Sequence, residues 1–147
     1  MKTTRLNNII RFTFFGVMTA VMLFPFSAYA QKMIFLPSSV VPAAEGYTHI
    51  KNDKNKNYVI QVNISNLAEV SRLQPSKLTY VVWMETDQNK TENIGQLKSS
   101  TGFMSKAMKA SFETVSSSRP TKVFITAEND GSIQYPGDQI VLSTSEF

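Results

Sequence analysis

The sequence predicts an all-β fold, an immunoglobulin-like antiparallel β-sandwich of about seven strands. The first observation is the segment Leu78–Met84, in which β-branched and aromatic residues follow one another and include the chain's one tryptophan, Trp83. Such a run indicates a strand buried on both faces, at the centre of a sheet. The second is a series of short alternating segments separated by turn residues, such as those at 129–131 and 136–137. Short strands, regular turns and one buried tryptophan are typical of this fold.

Residues 1–30 have the pattern of a secretory signal peptide. An apolar run, Phe12–Phe24, follows the basic residues Lys2, Arg5 and Arg11. Small side chains at Ala28 and Ala30 predict cleavage before Gln31. The apolar run has about thirteen residues, fewer than the ~20 that a membrane-spanning helix needs. We therefore expect an exported protein, secreted or periplasmic, with no integral membrane span after cleavage.

Charge and cysteine content exclude several classes of function. The formal net charge is +4, but three of the 15 basic residues belong to the first eleven positions. The remainder nearly balances the 11 acidic residues, so the sequence predicts no nucleic-acid partner. The chain contains no cysteine, which excludes disulfides, thiol catalysis and thiolate metal sites. Stability must therefore come from one packed core, which a single domain of this length can bury.

The first part of the exported chain predicts a hairpin behind a leading segment. Residues 31–43 are apolar in patches but broken by prolines, so they are either a first edge strand or a leader to the domain at 44–147. Gly46–Asn52 alternates loosely, and Tyr58–Ser65 alternates as a half-buried strand does. The polar residues between them, Asp53 to Asn57, predict the connecting turn.

The second part predicts a connection at 66–76, with a helical turn, that crosses between the sheets. The strands predicted after it lie at residues 78–84, 92–98, 108–115, 121–128 and 139–144. Gly95 inside its strand indicates a bulge or a close backbone approach. The segment Phe103–Val115 has near-helical spacing in one reading and alternation in another, and its end favours a strand from Met108. In the strand at 121–128, we expect Val123, Ile125 and Ala127 to point inward.

The sequence resembles the outer domain of anti-sigma-K factors over about residues 57–144. The shared features are an aromatic-x-x-Trp strand, a glycine-containing strand, a strand ending in Glu, a glycine-rich turn and a following proline. The residues that carry them are Tyr80, Trp83, Gly95, Glu128, Gly131 and Pro136. The resemblance implies a β-sandwich, an extracytoplasmic setting and a bacterial source.

The chain also departs from that family. Family members have a cytoplasmic domain and a membrane helix before the outer domain, whereas a signal peptide takes that place here. The family's Glu-Pro-x-Gly-Gly is replaced by the residues 128–132, which lack the proline and one glycine. The resemblance therefore does not imply sigma-factor inhibition. We expect a stand-alone binding module that recognises a protein or a cell-envelope component. The alternative is a structural or adhesin-like subunit that assembles through edge strands, with Met33–Leu36 as the donor strand.

Residue chemistry predicts neither an enzyme nor a cofactor. His49 is the one histidine, so no two-histidine metal site or catalytic dyad forms within one chain, and we expect a surface histidine on a strand. The Asp53 turn begins like a calcium loop but lacks its glycine and its glutamate, which favours a polar turn. Acidic residues fall mainly at strand ends. If Asp87 and Asp130 shared one end of the sandwich, they could bind a cation.

Overall fold

The computed structural model of the chain describes residues 30–100 and 108–147, and for residues 98–100 the backbone alone. The predicted signal peptide lies outside the described residues, except for Ala30. The described part contains nine strands and a single 3₁₀ turn, Val70–Arg72. The strands are β1 Gln31–Ile34, β2 Glu45–Asn52, β3 Tyr58–Leu67, β4 Thr79–Thr86, β5 Thr91–Gln96, β6 Lys98–Ser100, β7 Met108–Ser116, β8 Pro120–Glu128 and β9 Ile140–Ser143.

The strands form two antiparallel sheets, which confirms the predicted sandwich. One sheet has the order β1-β2-β3-β7-β6 and the other the order β5-β4-β8-β9. Without β1, these are the two sheets of an immunoglobulin-type Greek key. The count exceeds the predicted seven because β1 is a strand and because the predicted strand at 92–98 is divided between β5 and β6.

The core lies between the two sheets. Between residues 60 and 64 of β3 the buried side chains are Ile60, Val62 and Ile64, while Gln61 and Asn63 point to the other face, as the alternation predicts. In β4 every residue from Tyr80 to Met84 is buried, which confirms a central strand covered on both sides. The predicted leading segment is part of this sandwich, because it contributes three core residues, Met33, Phe35 and Val41.

At two edges, one chain segment serves both sheets. After β1, Phe35 donates its backbone N–H to Gly46 of β2 at 3.0 Å, and Leu36 donates to Ser143 of β9 in the other sheet at 2.8 Å. On the opposite side, the chain leaves β5, donates from the Leu97 N–H to β4, and continues as β6 against β7. The segments 31–36 and 91–100 therefore link the sheets laterally.

The two ends of the sandwich differ. The terminal end carries Gln31 and Phe147, which line one small cavity, together with the turns at 53–57, 87–90 and 117–119. The loop end carries the connections 37–44, 68–78 and 129–139. These assignments follow from the antiparallel register of neighbouring strands.

One prediction about β8 was incomplete. Val123, Ile125 and Ala127 point into the core as expected, but the residues between them, Phe124 and Thr126, are also buried. They lie on the outer face of the four-stranded sheet, where the loop 129–138 contributes Ile133 to a second apolar cluster. β8 is therefore covered on both faces, so its alternate residues are not exposed to solvent.

Candidate functional site

A trough of about 980 Å³ crosses the outer face of the five-stranded sheet. Its floor contains one residue from each of four neighbouring strands, aligned by the strand register: Ile34, Tyr47, Asn63 and Ser111. Neighbouring strands are separated by about 4.8 Å, so this row runs across the sheet and not along a strand. The floor changes from apolar at β1 to neutral and polar at β7.

The sides of the trough come from different parts of the chain. The connection after β1 contributes Pro37 and Pro42 at the loop end. The strands β2, β3 and β7 contribute Glu45, Ser65 and Lys109 toward the loop end, and Lys32 of β1 lines the side toward the terminal end. A smaller hollow of about 320 Å³ shares Asn63 and Ser111 with the trough and reaches Glu113.

Tyr47 is the aromatic residue of the floor. Lys32 places its Nζ 4.3 Å from the centroid of the Tyr47 ring, and His49 packs edge to face with it at 5.1 Å between centroids. These neighbours fix the ring at the surface through a cation–π and an aromatic contact. His49 therefore lies on the strand surface, as predicted. Ile34 beside the ring is 71% exposed, so the apolar end of the floor is open to solvent.

The motif residue Trp83 lies elsewhere, on the outer face of the four-stranded sheet. The prediction that it is buried is confirmed, since it has no exposed surface. It packs with Val81, Phe124 and Ile133 in a cluster separate from the core between the sheets. Its ring lies nearly parallel to that of Phe124, at 6.3 Å between centroids, and its Nε1–H donates to the Thr126 hydroxyl at 2.8 Å.

The loop 129–138 is fastened beside this cluster at two places. Asn93 in β5 donates from Nδ2 to the carbonyls of Gly131, at 2.9 Å, and Ile133, at 2.8 Å. At the other end, Glu128 accepts a 2.8 Å hydrogen bond from the Gly137 N–H. Asn93 is not among the residues predicted from the sequence to have a role, although asparagine is depleted in strands and its presence in one is a signal.

Three of the four remaining motif residues, Gly95, Gly131 and Pro136, lie in this loop or at the β5 edge. A side chain at Gly131 would overlap Gln96, and Pro136 precedes the glycine that bonds Glu128. Gly95 has φ 137° and lies where a Cβ would be 2.7 Å from the Phe112 ring. Both predictions for Gly95 are confirmed, since the register of β4 with β5 also shifts beside it. The motif residues are therefore placed for structural roles, outside the trough.

Tyr80, the first motif residue, is buried on the inner face of β4 and donates its hydroxyl proton to the Ala68 carbonyl at 3.0 Å. Burial raises the pKa of Tyr80 to about 12. An unfolded tyrosine ionises at a pKa of about 10, so between these values the folded chain holds a proton that the unfolded chain releases. This contribution to stability is complete below pH about 10 and is lost as the pH rises toward about 12.

We expect Tyr80→Phe to lower the free energy of unfolding by about 1 kcal/mol at neutral pH, because the hydrogen bond to Ala68 is lost. Above a pH of about 10 the difference from the wild type should shrink, because phenylalanine has no proton to release. Urea unfolding at a series of pH values measures both effects. Tyr135→Phe is the control, because it removes the same hydroxyl from a side chain that is 82% exposed. If the difference in free energy of unfolding between the wild type and Tyr80→Phe stayed constant with pH, the raised pKa of Tyr80 would be contradicted.

The carboxylates described in the structure are dispersed. Asp53 is a turn residue, as predicted: its Oδ1 accepts the N–H groups of Asn55 and Asn57 at 2.7 and 2.9 Å. The backbone hydrogen bond from Asn57 lowers the pKa of Asp53. Similarly, the backbone hydrogen bond from Ser132 lowers the pKa of Asp130. Each of these acids is held by its own turn.

The strand order rules out the condition for a cation site at Asp87 and Asp130, namely that the two residues share one end of the sandwich. Asp87 follows β4 at the terminal end, whereas Asp130 follows the antiparallel strand β8 at the loop end. Within residues 30–100 and 108–147, no group of three or more potential metal-ligating side chains occurs.

The segment proposed as a donor strand, Met33–Leu36, pairs within the same chain and is part of the sandwich. Met33 and Phe35 point into the core, and the backbone pairs with β2 and β9. In the part of the chain that the structure describes, no helix has the length and apolar character to span a bilayer. Comparisons of the chain with models of protein families, with curated proteins and with solved structures found no match.

Proposed function

We propose that this protein is an exported, non-enzymatic binding module, a stand-alone relative of the outer domain of anti-sigma-K factors, that recognises a protein or a cell-envelope component. The observation that carries the proposal is the trough on the five-stranded sheet. It offers an open floor in which an aromatic ring and an exposed aliphatic side chain lie beside amide and hydroxyl groups. Interface centres favour aromatic residues and few charges.

The arrangement of the two sheets supports the choice of this face. The outer face of the four-stranded sheet is partly occupied by the loop 129–138 and its cluster around Trp83. The edges are short strands, or they are continued into the other sheet by the segments 31–36 and 91–100. A partner therefore meets a larger and more varied surface on the five-stranded sheet than at either edge.

The dispersion of reactive groups supports binding without catalysis. The single histidine packs against Tyr47, and the acids at Asp53 and Asp130 are engaged by their own turns. A paired-carboxylate mechanism needs two acids held a few ångströms apart in one cleft. The trough itself contains one acidic side chain, Glu45, among its lining residues.

The test is in-cell cross-linking of the full chain, expressed with a C-terminal tag in its source organism, followed by recovery of the cross-linked partner. The variant Ser111→Tyr fills the polar half of the floor, and because Ser111 is exposed we expect the fold to be unaffected. We expect this variant to lose the partner that the wild type recovers. Tyr135→Ala is the matched control, since it alters an exposed side chain on the loop 129–138.

The outcomes separate the possible surfaces. Loss with Ser111→Tyr and retention with Tyr135→Ala support the trough. The reverse result would assign recognition to the loop end and overturn the trough as the site. Ladders of the chain linked to itself, with no other partner, would favour the structural subunit instead.

A further inference from the structure

We propose that the N-terminal residue of the exported chain, Gln31, is converted to pyroglutamate. The proposal rests on the export and cleavage proposed above, because it requires Gln31 to have a free α-amine. The predicted cleavage site places this residue first, and the structure places it at the start of an edge strand, β1, with an exposed side chain. The expected chain end is therefore accessible and directly adjoins folded structure.

The chemistry is an internal acyl transfer that needs no oxidant or reductant. The lone pair of the neutral α-amine attacks Cδ of the side-chain carboxamide, and a five-membered lactam forms. The bond from Cδ to Nε2 breaks, and that nitrogen leaves as ammonia after taking the proton released by the amine. An α-amine has a pKa of about 8, so a sizeable fraction is neutral and reactive near neutral pH.

The structure indicates why a blocked terminus matters for this chain. Gln31 pairs with Ile50, and the next residues enter the core almost at once: Met33 is 7% exposed and Phe35 is 6% exposed. An aminopeptidase that removed two residues would reach a core side chain. Chain ends are preferred sites of proteolysis, and an envelope protein meets peptidases there. The lactam has no α-amine for these enzymes to bind.

The modification leaves the rest of β1 in place. It changes the α-amine and the side chain of Gln31, both at the exposed beginning of the strand. The pairing of Met33 with Thr48 and the hydrogen bond from Phe35 to Gly46 involve backbone groups beyond it. Cyclisation is therefore compatible with the folded domain.

The test is mass spectrometry of the protein, expressed in its source organism as the full chain and recovered intact, with fragmentation of the N-terminal peptide. We expect the mass of residues 31–147 less one ammonia, with the loss located at Gln31. A chain that begins at Gln31 with an intact amine would overturn the modification and leave export supported. A chain that keeps residues 1–30 would overturn both proposals.

The matched control is Gln31→Asn, which keeps a side-chain amide but is one methylene shorter. Its ring would have four members, so we expect a free α-amine and no loss of ammonia at this position. Incubation with an aminopeptidase should then shorten the variant and leave the wild type intact. Equal resistance of both proteins would overturn the protective role.

Discussion

Replacing Trp83 with alanine is expected to lower the free energy of unfolding by about 3–5 kcal/mol. Trp83 has no exposed surface and packs with Val81, Phe124 and Ile133. The substitution removes these contacts and leaves a cavity. It also removes the indole N–H that donates a hydrogen bond to the buried Thr126 hydroxyl. Urea unfolding followed by circular dichroism measures the loss, because the variant no longer has a tryptophan to report by fluorescence.

Tyr135→Ala is the control for this prediction. This aromatic side chain lies on the loop 129–138 but is 82% exposed, so its removal should change stability by no more than about 0.5 kcal/mol. If Trp83→Ala lowered the free energy of unfolding as little as this control, the outer cluster would contribute nothing to stability. The sandwich would then fold independently of the loop. We expect the loss in free energy of unfolding to be several times larger for Trp83→Ala than for Tyr135→Ala.

Phe35→Ala is expected to cost about 3 kcal/mol, although the sequence places Phe35 in a segment ahead of the predicted domain. The side chain is buried among residues of both sheets, and its backbone bridges to Thr144. The substitution leaves that backbone unchanged, so the measured loss reports the side chain alone. Equilibrium unfolding in urea gives the value.

The neighbouring substitution Leu36→Ala tests the same segment without the core. Leu36 is 51% exposed, so we expect a change within about 0.5 kcal/mol. Equal effects of the two substitutions would mean that residues 31–43 fold separately from the sandwich. A large effect for Phe35 alone would establish that the folding unit begins at β1, and that removing the segment destabilises the domain itself.

Strand positions were largely predictable because alternation and turn residues are local signals. The hairpin at β2 and β3, the strand from Met108 and the strand β8 all follow from residues within a few positions of one another. The change of sheet at Leu97 does not, since ENIGQLK has the composition of one short strand. The segment is divided into two strands because its first part pairs with β4 and its last part pairs with β7, in the other sheet.

The sequence of β4 does not predict which face of the four-stranded sheet carries Trp83. Both faces of Leu78–Met84 are apolar, so the pattern predicts burial without saying which face meets the other sheet. The answer depends on a loop that begins 46 residues later and on its attachment to Asn93. Similarly, the floor of the trough joins Ile34 to Ser111 through the register of four strands, which no local pattern contains.

The edge segments also determine how this protein behaves in a crowded compartment. A long, flat, unpaired strand invites the same strand of another molecule to add to it, and stacked sheets then grow into fibrils. Here β1 and β9 have four residues each, β6 has three, and β5 is interrupted by the irregular register beside Gly95. The chain therefore combines strongly apolar central strands with edges that are poor templates, and we expect it to stay monodisperse at concentrations where a flat sandwich of the same composition would aggregate.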